Sequence, residues 1–544
     1  MDDIDKSYKI PFQLSWDIIF TRIGLFIFLL FVFSPIFVFI IDALDAIISG
    51  NYNWLELAIP SGRRFGLFIK TIGLSMSVAL SGIILGILAG SFLWRLRTGP
   101  ALYLRWFVFF LFIIPQYVHA LAWSLVVNKI NSILQFYGLF TIPLQGWIAC
   151  WWVQLMAYLP ITTGLTLLGL ESIDESLIES ARILRSDYYC LKKVILPLAA
   201  PMILAGGGFV FLFSLTDYSV PSLFQTNVYA LEIFAEFSAS NEPVRAFLLA
   251  IPLLCITCII VFFSQSALRN VVQKPLWHIR PRNSEIEWPL WFISLQYLAI
   301  IVISAQILIP LISLFTDIGH INNLVNSLTS ARTEIHFTFW LSLITAAISI
   351  PVAFAVAKQL VKSDIHGKLW WFLVTLPLAV PASLVGIGLI SIWNRPYLSL
   401  IYGSGLMLFL ALFSRFVPLA AIVILAQLRR IEPLLLDAAR IFQVHAIKTW
   451  FRINLPMYLP GFIAAGCIIF AMSAGELGAT LIVAPPGYST LTMRIYSYLH
   501  YGASESVAGL CFMMVLMALT LGLFAVIILH GKLYFYPRIR LKVK

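Results

Sequence analysis

Long apolar runs, separated by short charged or Pro/Gly-rich segments, follow one another along the whole chain. A helix needs about 20 apolar residues to cross a bilayer about 30 Å thick, and about twelve runs reach that length. The pattern therefore predicts an all-α, polytopic membrane protein with about twelve transmembrane helices. Their predicted centres are Leu30, Val78, Gln116, Ala157, Gly208, Cys255, Ala299, Ala346, Leu384, Leu412, Phe470 and Met517.

The composition excludes a soluble protein. Of 544 residues, 60% are hydrophobic and 11% are charged, whereas about a quarter of the residues of a soluble domain are charged. The net charge of +11 does not indicate a nucleic-acid partner, because basic residues of membrane proteins concentrate in cytoplasmic loops. With the N-terminus inside, about 26 of the 36 Lys and Arg residues fall in inner segments, which predicts that both termini are cytoplasmic.

Two halves of the chain resemble each other at an offset of about 260 residues, as expected of an internal repeat. The sequence Glu179-Ser-Ala-Arg182 recurs as Asp437-Ala-Ala-Arg440, and Leu196-Pro197 recurs as Leu455-Pro456. A polar, proline-containing segment lies between the halves, which is the composition of a linker. We therefore predict two parallel repeats of six spans, residues 1–275 and 289–544, joined by a cytoplasmic linker over residues 276–288.

A patterned break of about 25 residues follows the fourth span of each half, and it is too long for a plain turn. Ser172 followed by Glu175 resembles a capping box that begins a helix, so we predict short cytoplasmic helices over about 172–187 and 432–446. Apolar residues at i, i+4 and i+7 form a stripe on each helix, namely Leu177, Ala181 and Leu184, then Leu435, Ala439 and Phe442.

An acid and a base lie three residues apart beside each stripe, Glu179 with Arg182 and Asp437 with Arg440, a spacing that allows them to pair. A single such helix could be an interfacial connection between two spans. Two copies at equivalent places, each followed by Leu-Pro, favour a docking surface for a partner.

The segment Asp437-Ala-Ala, followed by Ile453-Asn-Leu455-Pro456, resembles the signature loop of the type I permeases of binding-protein-dependent ABC importers. The resemblance implies that each predicted helix is a coupling helix that contacts an ATP-hydrolysing subunit. Arg185 and Gln443 replace the glycine of the family motif, and the first copy is about one residue shorter. The implied coupling residues are Glu179, Ala181, Arg182, Asp437, Ala438, Ala439 and Arg440.

A second resemblance involves the run from Ser473 to Thr480, then Pro485-Pro486-Gly487 and the segment from Thr490 to Tyr496. These residues are similar to the fused two-domain permeases associated with ferric iron import. The resemblance implies a bacterial inner-membrane protein that receives its solute from a periplasmic or external binding protein. We expect ferric iron as the cargo, with thiamine, polyamine or phosphonate as alternatives within the same architecture.

The chain is not expected to be an enzyme, because it contains no G-x-x-x-x-G-K-[ST] motif for binding nucleotide phosphates. ATP and magnesium are expected on a homodimeric ATP-binding subunit on the cytoplasmic side, and no cofactor or metal on this chain. The eight histidines form no metal-binding motif. His119, in the third predicted span, is interpreted as a hydrogen-bonded residue between helices rather than a ligand.

Asp217 and Glu476 occupy matching positions in the fifth span of each half. A carboxylate within a span costs about 2.5 kcal/mol or more, so each is expected to face protein or a water-filled cavity. They are candidates for lining the outer part of a pathway, and the alternative is that each caps a helix end or ties it to a neighbour. The same two acids would also serve a different class of protein, an ion-coupled secondary transporter of twelve spans.

Overall fold

The computed structural model describes residues 13–48, 52–96, 114–272, 288–362, 364–432, 434–436, 438, 446–501 and 504–535. Within these ranges the chain forms helices joined by short turns, and no strand occurs. The predicted all-α membrane fold is confirmed. The predicted linker over 276–288, except Trp288, and most of the predicted second coupling helix lie outside the described residues.

The first half contains nine α-helices in its described part. They are α1 (Gln13–Ile48), α2 (Gly62–Arg95), α3 (Gln116–Phe136), α4 (Gly146–Glu171), α5 (Glu175–Leu184), α6 (Asp187–Thr216), α7 (Ser219–Leu223), α8 (Tyr229–Ser240) and α9 (Pro243–Val272). A single π-helical turn, Leu191–Ile195, lies inside α6.

The second half repeats this order. Its helices are α10 (Leu290–Ile318), α11 (Ile321–Ser330), α12 (Arg332–Leu360), α13 (Ile365–Thr375), α14 (Ala382–Trp393), α15 (Ser399–Tyr402), α16 (Leu406–Leu428), α17 (Trp450–Ala474), α18 (Thr480–Val483), α19 (Leu491–Tyr501) and α20 (Ser504–Phe535). A π-helical turn, Trp450–Asn454, begins α17 just as one lies near the start of α6.

Ten described helices are long and apolar enough to cross a membrane, and eleven if one bent pair counts as a single span. The bent pair is the span predicted around Leu384, where α13 with its 3-10 extension meets α14 at 96°. Pro381 lies at the break, and the residue before a proline is disfavoured in helical conformation. The span predicted around Gln116 lies partly outside the described residues, so the predicted total of about twelve stays a prediction.

Three helices form the centre of each half by packing on one another: α2, α4 and α6 in the first, and α12, α16 and α17 in the second. The first helix of each half packs on the opposite half, α1 against α12 and α14, and α10 against α2 and α3. The two halves are therefore interlocked.

The same buried contact occurs once in each half. The Thr71 hydroxyl of α2 accepts a hydrogen bond from the backbone N–H of Tyr229, at the start of α8, at 2.9 Å. The Thr338 hydroxyl of α12 accepts one from the N–H of Leu491, at the start of α19, at 2.8 Å. Each threonine satisfies a helix N-terminal donor that would otherwise be buried without a partner.

Gly388 in α14 permits the close crossing of α1. A Cβ atom placed on Gly388 would lie 2.1 Å from the backbone oxygen of Pro35, a separation far below van der Waals contact. Both helices would have to move apart to accept any side chain there.

We predict that Gly388→Ala lowers the stability of the protein by about 1 to 3 kcal/mol, the range observed for overpacked sites. Thermal unfolding of the purified protein in detergent micelles measures the change. Gly66→Ala in α2 is the matched control, because a Cβ at Gly66 meets no atom within 4 Å. Equal unfolding temperatures for the two variants would show that the α1–α14 crossing tolerates separation.

Candidate functional site

Helix α5 is the short helix predicted after the fourth span, and its N-terminus differs from the predicted capping box. The Asp174 carboxylate, not the Ser172 hydroxyl, accepts the hydrogen bond from the Ser176 N–H, at 3.0 Å. Ser172 donates instead to the Gly169 carbonyl at the end of α4, at 2.7 Å. Asp174 lies one residue before the helix, which is the position where a carboxylate caps it.

The buried face of α5 also differs from the predicted stripe. Ile178 is 1% exposed and packs with Cys190 and Leu191 of α6. Ala181 is half-buried against the same cluster, whereas Leu177 is 51% exposed. The side chain of Leu184 lies outside the described residues.

Two large apolar side chains, Leu177 and Ile183, remain exposed on this ten-residue helix, and Ile183 is 85% exposed. Contiguous exposed apolar patches mark protein or membrane contacts. Leu177 and Ile183 lie about 120° apart around the helix, since an α-helix has 3.6 residues per turn, so a partner that contacts both side chains would have to surround part of α5.

Arg182 pairs with Asp187, which corrects the predicted pairing of Arg182 with Glu179. The guanidinium Nε donates to Asp187 Oδ1 at 2.8 Å, and Nη2 donates to Oδ2 at 3.2 Å, while Glu179 is exposed. Such a two-bond pair is geometrically specific. It joins the last turn of α5 to the first turn of α6, so the two helices are held together as one bend.

The second copy of the coupling motif is described only in part. Asp437, Ala439 and Arg440 lie outside the described residues, and Ala438 is helical and half-buried. Leu434 and Leu435 nearby are 70% and 53% exposed. Leu435 matches Leu177 of the first copy, and both side chains are about half exposed.

Asp217 ends α6 and begins the turn into α7. Its Oδ1 accepts hydrogen bonds from the Ser219 N–H at 2.9 Å and from the Ser219 hydroxyl at 2.6 Å. Its Oδ2 accepts one from the Gln154 amide of α4 at 2.9 Å, and Gln154 in turn accepts from Ser214 at 2.7 Å. Asp217 therefore caps a helix and ties it to a neighbour.

Glu476 occupies the matching turn between α17 and α18. Its two oxygens accept hydrogen bonds from the N–H groups of Ala479 at 2.8 Å and Thr480 at 2.9 Å. Arg415 of α16 forms an ion pair with the same carboxylate, whose side chain is 3% exposed. A buried carboxylate without these partners would be strongly destabilising.

The segments that follow the two acids meet between the halves. Tyr218 donates from its hydroxyl to the Gly478 carbonyl at 3.1 Å, and the hydroxyls of Ser222 and Tyr496 share a hydrogen bond of 2.8 Å. These two hydrogen bonds join the halves at the centre of the protein.

Sequence reasoning missed Arg415, Gln154 and Tyr218. The signal for Arg415 was available, because it is a charged residue inside an otherwise apolar run, and such residues face a partner or a cavity. Gln154 and Tyr218 carry no comparable signal, since only the tertiary contacts show that each has a specific partner.

His119 is fully buried in α3, and neither of its ring nitrogens has a hydrogen-bond partner among the residues that the structure describes. The predicted interhelical hydrogen bond is therefore not formed in this structure. Among the described residues no group of three or more His, Cys, Asp and Glu side chains could hold a metal ion.

Comparison with known protein families gives a match in the first half of the chain. Residues 82–275, which include α3 to α9, match the model of the binding-protein-dependent transport system inner membrane component. This part of the chain is similar to that family of permeases. The matched residues contain α5, the Arg182–Asp187 pair and the end of α6 at Asp217.

Similar proteins include two from Salmonella that are named as 2-aminoethylphosphonate transport system permease proteins. PhnU of Salmonella typhi is 30% identical over 116 residues, which cover 21% of this chain and 40% of that protein. PhnV of Salmonella paratyphi A is 28% identical over 144 residues, which cover 26% of this chain and 52% of that protein. The chain thus spans about half the length, or less, of the curated relatives it matches.

We predict that Glu476→Gln destabilises the protein by about 2 kcal/mol, because Arg415 loses its counter-charge in a largely buried site. Thermal unfolding in detergent measures the loss, and Arg415→Met added to Glu476→Gln is expected to recover part of it. Glu232→Gln is the control, because its closer partner Arg63 is 68% exposed, its second partner Arg64 lies at the 4.0 Å limit of an ion pair, and exposed pairs contribute little. A loss at Glu476 no larger than at Glu232 would contradict the assigned role of the pair.

Proposed function

We propose that this chain is the membrane-spanning permease of an ATP-driven importer and forms the pathway for a solute delivered by an external binding protein. The observation that carries the proposal is α5: a short helix within the family-matched residues, held to α6 by Arg182 and Asp187, that exposes Leu177 and Ile183. Such a surface is suited to docking in a cleft of a partner subunit.

The partner in this proposal is a homodimeric ATP-binding subunit on the cytoplasmic side, where ATP and magnesium bind. One protomer contacts α5, and the other contacts the second copy around residues 432–446. Both termini are then cytoplasmic, which agrees with the distribution of basic residues. Asp437, Ala439 and Arg440 remain predicted coupling residues of the second copy.

The arrangement of the two central acids favours this proposal over an ion-coupled secondary transporter. Proton or sodium coupling requires a carboxylate that can exchange its ligand. Asp217 accepts three hydrogen bonds from Ser219 and Gln154, and Glu476 is held by two backbone N–H groups and Arg415. Both are engaged in holding helix ends together.

For the cargo we propose a small organophosphonate of the 2-aminoethylphosphonate type rather than ferric iron. The two Salmonella relatives carry that cargo in their names, and the iron expectation has no support among these relatives. Phosphonate was one of the alternatives that the sequence left open. The test is direct: the cognate binding protein is titrated with 2-aminoethylphosphonate and with ferric citrate, and preference for the iron complex would overturn the proposed cargo.

We predict that Leu177→Glu or Ile183→Glu abolishes most ligand-stimulated ATP hydrolysis by the reconstituted complex, because a charge would enter the apolar contact. Ile59→Glu is the matched control, since Ile59 is 72% exposed and precedes α2 at the opposite end of the bundle. Wild-type stimulation in all three variants would refute docking through α5. Transport by the chain alone in ATP-free vesicles under an ion gradient would instead support the secondary transporter.

A further inference from the structure

A cavity of about 360 Å³ opens at the end of the bundle opposite α5. It is lined by the C-terminal part of α1, the turn between α8 and α9, and the end of α14, so both halves contribute to it. Ligand pockets have volumes of about 300 to 1,000 Å³. The cavity is therefore of the size that holds a small solute.

Charged groups of both signs line this cavity. Asp42, Asp45 and Glu242 provide three carboxylates, and Arg395 provides one guanidinium. None of the four forms an ion pair with a described residue, although Asp42 accepts a hydrogen bond from Ser391 at 2.7 Å. Because carboxylates outnumber the guanidinium three to one, the lining favours a ligand with a cationic group, and Arg395 is the one cationic side chain of the lining that can meet an anionic group.

The cavity also has an apolar side. Trp54 and Val244 line it and belong to a small apolar cluster with Leu248 and Leu57. Phe237 at the end of α8 contributes a second ring to the lining. A short hydrocarbon segment between two charged groups would lie against these side chains, since specific sites combine apolar walls with a few polar groups.

The repeat provides an internal comparison for this cavity. Ser391 of α14 donates to Asp42 of α1, and in the other half Lys129 of α3 donates to Thr316 of α10 at 2.8 Å. A hydrogen bond between the two corresponding helices is therefore present in both halves. Its charged partner is the acidic Asp42 in one half and the basic Lys129 in the other. The acidic character of the cavity is consequently not required to hold the helices together.

We propose that this cavity binds a small zwitterion that carries a primary ammonium and a phosphorus oxyanion. The ammonium faces the carboxylates of Asp42, Asp45 and Glu242, and the oxyanion faces Arg395. The expectation that this ligand is the transported solute rests on the proposed function. The ethanolamine headgroup of a phospholipid has the same two charged groups, so it is the second source of this chemistry.

The probe is 2-aminoethylphosphonate, titrated against the full-length permease alone in phosphatidylglycerol nanodiscs, with no ATPase and no binding protein. Saturable binding is expected, together with at least about tenfold weaker binding to the Asp45→Asn/Glu242→Gln variant, as the loss of a charge-assisted hydrogen bond implies. Asp45 and Glu242 are exposed and form no ion pair with a described residue, so both amide replacements should leave the fold intact. Ethylphosphonate, which lacks the ammonium, should bind the wild type weakly and should lose no affinity in this variant, because the variant repels an anion less.

Arg395→Gln tests the opposite end of the ligand, and Lys129→Gln is the matched control because it removes one charge from the related contact of the other half. Arg395→Gln should weaken 2-aminoethylphosphonate binding, and Lys129→Gln should not. Nanodiscs that contain phosphatidylethanolamine separate the two sources: competition by the lipid identifies the headgroup as the occupant, and its absence identifies the soluble solute.

Absence of saturable binding, or equal binding by the Asp45→Asn/Glu242→Gln variant and the wild type, would overturn this inference. That outcome would leave the proposed permease function standing, because ligand-stimulated ATP hydrolysis by the complete complex measures it separately. Conversely, the permease could bind the probe while the complete complex shows no ligand-stimulated ATP hydrolysis. That result would refute the proposed function and leave the cavity inference standing.

Discussion

Two short helices, α7 and α18, begin in the interior of this protein just after α6 and α17 end, and the N–H groups at their starts must find partners away from water. An unsatisfied polar group in such a place costs several kcal/mol. Glu476 accepts from the N–H groups of Ala479 and Thr480, and Asp217 accepts from that of Ser219. These carboxylates allow the chain to leave helical conformation at the centre of the bundle, and the contacts between the halves depend on the segments they hold.

A continuous covalent and hydrogen-bonded route runs from α5 to this centre. The Arg182–Asp187 pair fixes α5 to the start of α6, and α6 runs without a break to Thr216. Asp217 then turns the chain so that Tyr218 reaches the carbonyl of Gly478 in the other half. In the proposed permease, a displacement of α5 by the ATPase would therefore move one side of the contact between the two halves. This route describes which groups are structurally connected. An energetic coupling between its two ends is a different property, which is measured by mutation.

The halves share a backbone plan but differ in charge at equivalent places. Glu476 is paired with Arg415, whereas Asp217 is held by the neutral Gln154. At the opposite end from α5, Glu232 of α8 contacts Arg63, and in the second half Arg494 of α19 contacts Glu334 with the charges reversed. Because both halves belong to one chain, each copy of a repeated helix has a single set of neighbours. Charged residues at equivalent positions of the two halves can therefore differ.

The sequence by itself determined the membrane class, most of the spans, the two halves and the place of the short helix α5. These features depend on hydrophobic run length and on local motifs, which act over neighbouring residues whatever the rest of the chain does. It also placed Asp217 and Glu476 at matching positions and named helix capping as one of their two roles. The partners of Arg182, Glu476 and Tyr218 depend on residues distant along the chain or on how a turn closes. Only the tertiary structure decided these partners. A spacing of i, i+3 permits a pair such as Glu179 with Arg182 but does not require it. At the bend between α5 and α6, Asp187 instead accepts two hydrogen bonds from the Arg182 guanidinium.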